Sequence, residues 1–194
     1  MKNLFINERA LFLITDRTIS NLSLAKMTEK AIRAGIKTIQ LREKNMTKKE
    51  LYKEALSIRK FTLKYRATFI INDYVDIALA VNADGVHLGQ EDMPIKEARK
   101  LLGENKIIGI STHSLKQAVD AQRAGADYIA FGPIFKTTTK DAGSPKGIEF
   151  LIEIKKHIKI PVVAIGGILS FPLVGLVIPT CSESFLKRIL DKPE

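Results

Sequence analysis

Gln40, Arg42 and Lys44 are the first residues in this chain whose types and spacing suggest chemistry. They close a mostly apolar run, Ile36 to Leu41, that reads as a buried strand. On an extended backbone alternate side chains share a face, so these three point one way and Leu41 and Glu43 the other. An amide, a guanidinium and an ammonium on one side make a seat for an anion. The two cations repel each other unless something negative lies between them, and phosphate or diphosphate suits both. Alone, the cluster reads as solvated charge at a strand end. The functional reading gains weight because several later strands also end in polar clusters.

Those clusters are Asn72-Asp73, Gln90-Glu91-Asp92, Ser111 with His113, the stretch Pro133 to Gly147, and Gly166-Gly167. Asp73 and Asp92 could share Mg²⁺, which takes one or two carboxylates and leaves other positions to water and phosphate. Taken singly, each aspartate reads better as a helix N-terminal carboxylate. With Arg42, Lys44 and Lys140 the pair describes a diphosphate held by a metal and cations. Hydroxyls, glycines and Lys140 in the stretch 133–147 supply donors for phosphate. A plain surface segment is the alternative, and the length of the loop favours function. Gly166-Gly167 lets backbone N–H groups approach a phosphate, or only eases a turn. For His113, hydrogen bonding to its neighbours is the safer reading. No Ser–His–Asp or Cys–His set is assembled. Chemistry that uses cations and a metal around diphosphate, with no general base in view, is the departure of diphosphate as a leaving group.

The elements that must position these residues alternate along the chain. Apolar runs at Leu11–Asp16, Thr38–Arg42, Thr68–Asp73, Gly85–Gly89, Lys106–Ser111, Tyr128–Gly132 and Pro161–Gly167 read as strands. Between them lie helical patterns at Leu22–Ala34, Thr47–Tyr65, Val75–Val81, Pro94–Leu102, Ser114–Ala124 and Ile148–His157. Thr47 and Glu50 fit a capping box, and Gly35 and Gly125 are helix-end signals. Such alternation implies parallel strands with crossover helices. Recurrent Ala-Gly and Ala-Asp-Gly turns suggest a quasi-repeating unit. The expectation is one (β/α)8 TIM barrel over residues 1–194, although complete barrels typically run to about 250 residues. A doubly wound sheet is the runner-up, and no Gly-x-Gly-x-x-Gly follows the first strand. The pattern breaks after Ile168, where Leu169 to Pro179 is apolar and holds two prolines. Proline disfavours a helix interior. Residues 169–194 are therefore expected to be a divergent tail with an atypical or incomplete α7/β8/α8 region. There is too little chain for a full helix, an eighth strand and a last helix, with Ser182–Leu190 a candidate final helix.

The chain has 194 residues, 45% of them hydrophobic, enough for one sizeable core. No run approaches the roughly 18 apolar residues of a membrane span, and the start lacks a signal peptide pattern. The lone Cys181 excludes an internal disulfide and a cysteine-based metal cluster. A cytoplasmic enzyme with no membrane partner is the default. The net charge of +10 is scattered along helices, with no arginine-rich tract, so nucleic acid is not the expected partner. Assembly into a homo-oligomer is compatible with the sequence and is not fixed by it.

The motifs as a set resemble thiamine phosphate synthase. They are Gln40-Leu41-Arg42-Glu43-Lys44, Ile71-Asn72-Asp73, His87 to Asp92, Gly109 to Ser114, Gly132 to Phe135, Thr137 to Lys140 and Ala164 to Ile168, spread over Leu11 to Ile168. The resemblance implies a (β/α)8 barrel and Mg²⁺. It also implies a transferase that joins hydroxymethylpyrimidine diphosphate to thiazole phosphate, giving thiamine phosphate and diphosphate. In that family the pyrimidine substrate ionises to a pyrimidinylmethyl cation, which the thiazole nitrogen attacks. Carried onto matching positions, Gln40 contacts the pyrimidine. Arg42, Lys44, Asn72, Ser111 and Lys140 hold the diphosphate, with Arg42, Lys44, Ser111 and Lys140 as the catalytic set. Asp73 and Asp92 hold the metal. Thr137, Thr139 and the backbone at Gly167 bind the thiazole phosphate. The tail departs from the family, which continues with a helix, an Ala-Gly-Ala-Asp-Gly turn and an eighth strand ending in a phosphate-binding Ser-x-Ile. Its absence implies a side of the barrel left open and a thiazole phosphate site short of donors.

Two rivals remain. A thiazole tautomerase shares the Gln-x-Arg-x-Lys strand and would make His113 an acid/base, but Gln90-Glu91-Asp92 and Thr137-x-Thr139-Lys140 favour the synthase. A truncated anion-binding barrel without turnover rests on the tail alone.

Overall fold

The computed structural model describes residues 11–18, 21–136 and 143–168 and the backbone of a strand over 174–178. Seven strands are parallel neighbours in chain order: β1 (Leu11–Ile14), β2 (Thr38–Leu41), β3 (Thr68–Asn72), β4 (Gly85–Leu88), β5 (Ile107–Thr112), β6 (Tyr128–Phe131) and β7 (Val162–Ala164). Helices α1 (Leu24–Arg33), α2 (Lys48–Lys64), α3 (Val75–Ala80), α4 (Ile95–Leu102), α5 (Leu115–Arg123) and α6 (Gly147–His157) make the six crossovers. An eighth strand, β8 (Val174–Ile178), pairs with both β7 and β1 and closes the barrel.

The helices start and stop where the sequence says. Ser23 and Ser114 accept hydrogen bonds from the N–H groups of Lys26 and Gln117, and Thr47 with Glu50 completes a capping box. Gly35 and Gly125 take positive φ just beyond α1 and α5, a conformation that ends a helix cheaply only at glycine.

Two apolar layers result from the period-2 pattern of the strands. Outward residues such as Ile39, Leu41, Phe69, Ile71, Val86, Leu88, Ile129 and Phe131 meet the helices in the main core. Inward residues Phe12, Ile70, Ile107, Tyr128, Ala130 and Val163 fill the barrel interior. Above this plug the inward positions turn polar, which makes the upper barrel a site rather than a core.

The open barrel side expected from the tail is corrected. β8 closes that side, and it runs antiparallel to both neighbours, with Leu13 opposite Val174 and Ala164 opposite Leu176. The reason is chain length. Only residues 165–173 separate β7 from β8, whereas a parallel crossover needs a dozen or more residues. A strand that returns directly must run the other way. Ser182–Leu190, the candidate final helix, lies outside the described residues.

Candidate active site

A cavity of about 410 Å³ opens at the C-terminal ends of the parallel strands. Its deep wall is apolar, from Phe12, Ile14, Ala130, Val163 and Ile165. Its rim carries Gln40, Arg42, Lys44, Asn72, Asp73, Glu91, Asp92, Ser111 and His113. The side chains singled out on four separate strand ends thus share one space.

Gln40 points inward from β2, is almost fully buried, and donates from Nε2 to Asn72 Oδ1 at 2.6 Å. Two residues on, Arg42 and Lys44 continue the same face at the rim. Glu43, on the other face, is buried and ties down the loop after β1. Its carboxylate accepts from Thr15 Oγ1 at 3.1 Å and from the Arg17 N–H at 3.4 Å. Thr15 Oγ1 also accepts from the Arg42 N–H at 3.0 Å. Burial pushes the Glu43 carboxyl up, against the pull of the Thr15 bond. The residue between the two cations therefore braces the strand end that presents them.

Asn72 and Asp73 are adjacent yet both line the cavity, which a regular strand forbids. Asp73 resolves this with φ +63, an uncommon conformation for a side chain other than glycine. Its N–H donates to the His87 carbonyl, and the Tyr74 N–H donates to Asn72 O, both at 2.8 Å, closing a tight turn around it. The helix-capping reading of both aspartates is set aside. Helices α3 and α4 have Tyr74 and Pro94 as N-caps, with no side-chain cap bond at either. Asp92 Oδ2 instead accepts from the Gly89 N–H at 2.6 Å.

The two carboxyl groups line the same cavity and act on each other electrostatically. Burial, then the Asp92 contact and its charge, push the Asp73 carboxyl up to about 6, against the pull of Arg42 and Lys44. A carboxyl raised in this way beside a second carboxylate favours a proton or a cation at that point. Among the described residues no group of three or more His, Cys, Asp or Glu side chains is arranged to hold a metal. A pair of carboxylates with the remaining positions left to water and phosphate oxygens fits Mg²⁺, which keeps much of its own hydration.

Ser111, on β5, has its Oγ 2.9 Å from His87 Nε2, and its carbonyl accepts from Gln90 Nε2 at 2.7 Å. His113 Nδ1 lies 2.8 Å from the Gly132 carbonyl, so this ring is hydrogen-bonded to its neighbours. At Gly166 (φ +86) a Cβ would lie 2.7 Å from Pro133 Cβ, so glycine is required there for backbone approach as well as for the turn. Gly166 lines the cavity and Gly167 does not. Thr137, Thr139 and Lys140 lie outside the described residues.

Sequence reading missed His87 and Tyr128. Tyr128 is fully buried, with its hydroxyl 2.9 Å from His87 Nδ1. The available signal was parity: on β4, Val86 and Leu88 face the helices, so His87 between them must face inward.

Fold and site define a (β/α)8-type barrel whose mouth suits a polyanion together with a hard cation. The family model described as thiamine monophosphate synthase matches residues 11–171. The thiamine-phosphate synthase of Clostridium novyi is 52% identical over 160 residues, covering 81% of this chain and 78% of that protein. The enzyme of the same name from Clostridium acetobutylicum is 48% identical over 169 residues, 87% of this chain and 79% of its own length. The structure of thiamine phosphate pyrophosphorylase from Pyrococcus furiosus superposes with a TM-score of 0.74 at 44% identity, covering 81% of this chain and 74% of that one. The chain belongs to the thiamine monophosphate synthase family. The family match ends at residue 171, before the reversed strand β8.

Proposed function

We propose that this chain is a thiamine phosphate synthase, a transferase that joins hydroxymethylpyrimidine diphosphate to thiazole phosphate with release of diphosphate. The observation that carries the reading is the pair of carboxyls, Asp73 and Asp92, that share one cavity with Arg42, Lys44 and an apolar wall. It occurs in a chain about half identical to synthases over most of its length.

The pyrimidine ring lies against the apolar wall, with Gln40 reading its polar edge. Gln40 is held for this by Asn72. The diphosphate lies at the rim against Arg42, Lys44, Asn72 and Ser111, with Lys140 from the loop after β6 joining them. Asp73 and Asp92 would hold Mg²⁺, whose charge would help to stabilise a departing diphosphate. In the first step the bond from the pyrimidine methylene carbon to the diphosphate oxygen breaks, and the electron pair leaves on oxygen. Arg42, Lys44 and the Ser111 hydroxyl face that growing negative charge, where preorganised donors act most strongly. The apolar wall keeps water from the cation left behind. In the second step the thiazole nitrogen attacks the methylene carbon. For the thiazole phosphate the family resemblance assigns Thr137, Thr139 and the Gly167 backbone, the last next to the cavity-lining Gly166.

Small-molecule substrates, a cytoplasmic site of action and no nucleic-acid or membrane partner belong to the same proposal. Among the described residues no helix is long and apolar enough to cross a membrane. A chromatographic assay for thiamine phosphate, with both substrates and Mg²⁺, tests the reading. Product formation that is lost in Arg42→Ala and Asp73→Ala is expected. An inactive wild-type chain that is folded and binds neither substrate overturns it.

A further inference from the structure

Inside the barrel, below the rim, Tyr128, His87 and Ser111 form a line of hydrogen bonds. Tyr128 Oη is 2.9 Å from His87 Nδ1, and His87 Nε2 is 2.9 Å from Ser111 Oγ. The Tyr128 and His87 rings lie 5.5 Å apart between centroids. Tyr128 is fully enclosed and His87 is 4% exposed. The position of the tyrosine is built into β5. At Gly109 a Cβ would lie 2.4 Å from the Tyr128 hydroxyl and 2.0 Å from its ring carbon, so only glycine leaves room for the ring to reach His87. Burial pushes the Tyr128 phenol well up, so it keeps its proton.

A neutral imidazole carries one N–H, and the bond made at one nitrogen decides the role of the other. If Nδ1 holds the proton, Nε2 is bare and Ser111 must donate to it. The serine then offers only lone pairs to the cavity, which an anion rejects. If Nε2 holds the proton, it donates to Ser111 Oγ, and the serine proton is free to point into the cavity. A phenol is a better donor than acceptor, and a protonated Tyr128 fixed 2.9 Å from Nδ1 selects the second state.

We propose that Tyr128 and His87 are positioning residues that act through Ser111. Tyr128 donates to His87 Nδ1, this fixes the Nε2–H form of the ring, and the Ser111 hydroxyl is thereby aimed as a donor at an anion in the cavity. This rests on the reading above, in which Ser111 holds diphosphate.

Nitrogen-15 NMR of the histidines in the intact wild-type chain tests the ring state without any ligand. The expected result is His87 in the Nε2–H form at pH 8, with a shift toward Nδ1–H in Tyr128→Phe. An Nδ1–H form in the wild type overturns the proposal. Calorimetry with inorganic diphosphate and Mg²⁺ tests the consequence. Ser111→Ala should weaken diphosphate binding about tenfold or more. Tyr128→Phe should weaken it several-fold, with no further loss when added to Ser111→Ala. His87→Gln, which can present an amide N–H near the Nε2 position, should bind more tightly than His87→Ala. A tenfold loss in Ser111→Ala with none in Tyr128→Phe overturns the relay and leaves the diphosphate reading standing. No loss in Ser111→Ala removes the serine from that reading and the relay with it.

Discussion

The two ends of the barrel treat their carboxylates in opposite ways. At the N-terminal end, Asp84 takes a two-pronged bond from Arg59, at 2.8 and 3.1 Å, and accepts the Phe69 N–H at 2.7 Å. Asp127 repeats the device two strands on, with Arg99 at 2.6 Å and the Ile108 N–H at 2.8 Å. Each aspartate sits at the start of an even strand, and each arginine reaches it from the helix one unit earlier. At the mouth, Asp73 and Asp92 face one cavity and push against each other electrostatically instead, and among the described residues neither Arg42 nor Lys44 forms an ion pair. One end has its charges balanced within the chain. The other holds like charges together and leaves cations free, a state that a polyanion and a metal would balance. Stability and function have been separated along the barrel axis.

Four measurements break or sharpen this contrast. Asp73→Ala and Asp92→Ala should each lower turnover by about 10²–10³-fold, or about 2.7–4 kcal/mol, and leave the melting temperature within a few degrees. Loss of stability matching the loss of turnover would erase the distinction between the ends. Asp84→Ala at the other end should do the reverse. It strands the Arg59 guanidinium and the Phe69 N–H, and should cost about 3 kcal/mol in urea unfolding with kcat unchanged.

The third measurement concerns pH. Asp73 has its folded carboxyl raised from 3.8 to about 6, so the folded chain binds the proton more tightly than the unfolded one. Its favourable contribution is complete below pH 3.8 and lost as pH rises through 6. Asp73→Asn, which stays neutral, should therefore be more stable than wild type at pH 7–8, by about 1–2 kcal/mol after allowance for screening by water. The difference should vanish below pH 3.8. In metal-free unfolding curves, a gain that grows toward low pH would contradict the cause assigned here. Last and smallest, Lys116→Ala, which cuts the exposed pair with Asp120, should shift stability by less than about 0.5 kcal/mol.

Much of the parallel barrel was legible because each strand is a short apolar run of fixed parity and α1, α2 and α5 carry side-chain caps. The same parity brought Gln40, Arg42 and Lys44 to one wall. Asp73 was found by motif, but its turn out of register at φ +63 is not written in any single residue type. The Arg59–Asp84 pair is invisible along the chain because its members are 25 residues apart and surrounded by ordinary surface charge. His87 was read past because one polar residue inside an apolar strand has no local partner; its partners stand on β5 and β6. The eighth strand was missed because two prolines in residues 169–179 argue against a helix and say nothing of direction. Direction came from the short span after β7. Thiazole phosphate binding remains part of the proposal: with β8 reversed, the end that a parallel strand would offer at the mouth is at the other end of the barrel.

That reversed strand also sets the order in which the wall can open. β7 and β8 are neighbours in sequence, whereas β8 and β1 join opposite ends of the chain, Leu13 against Val174. The second seam closes the longest loop in the molecule and carries the greatest entropic charge for closure. It is the seam expected to form last and to admit solvent deuterium first, with the amides of β1 and β8 that face each other exchanging ahead of those between β3 and β4. Each such opening uncovers two unpaired sheet edges, along β1 and β8, and an uncovered edge is a template for another chain. The stave that completes this barrel is thus also its point of entry to aggregation.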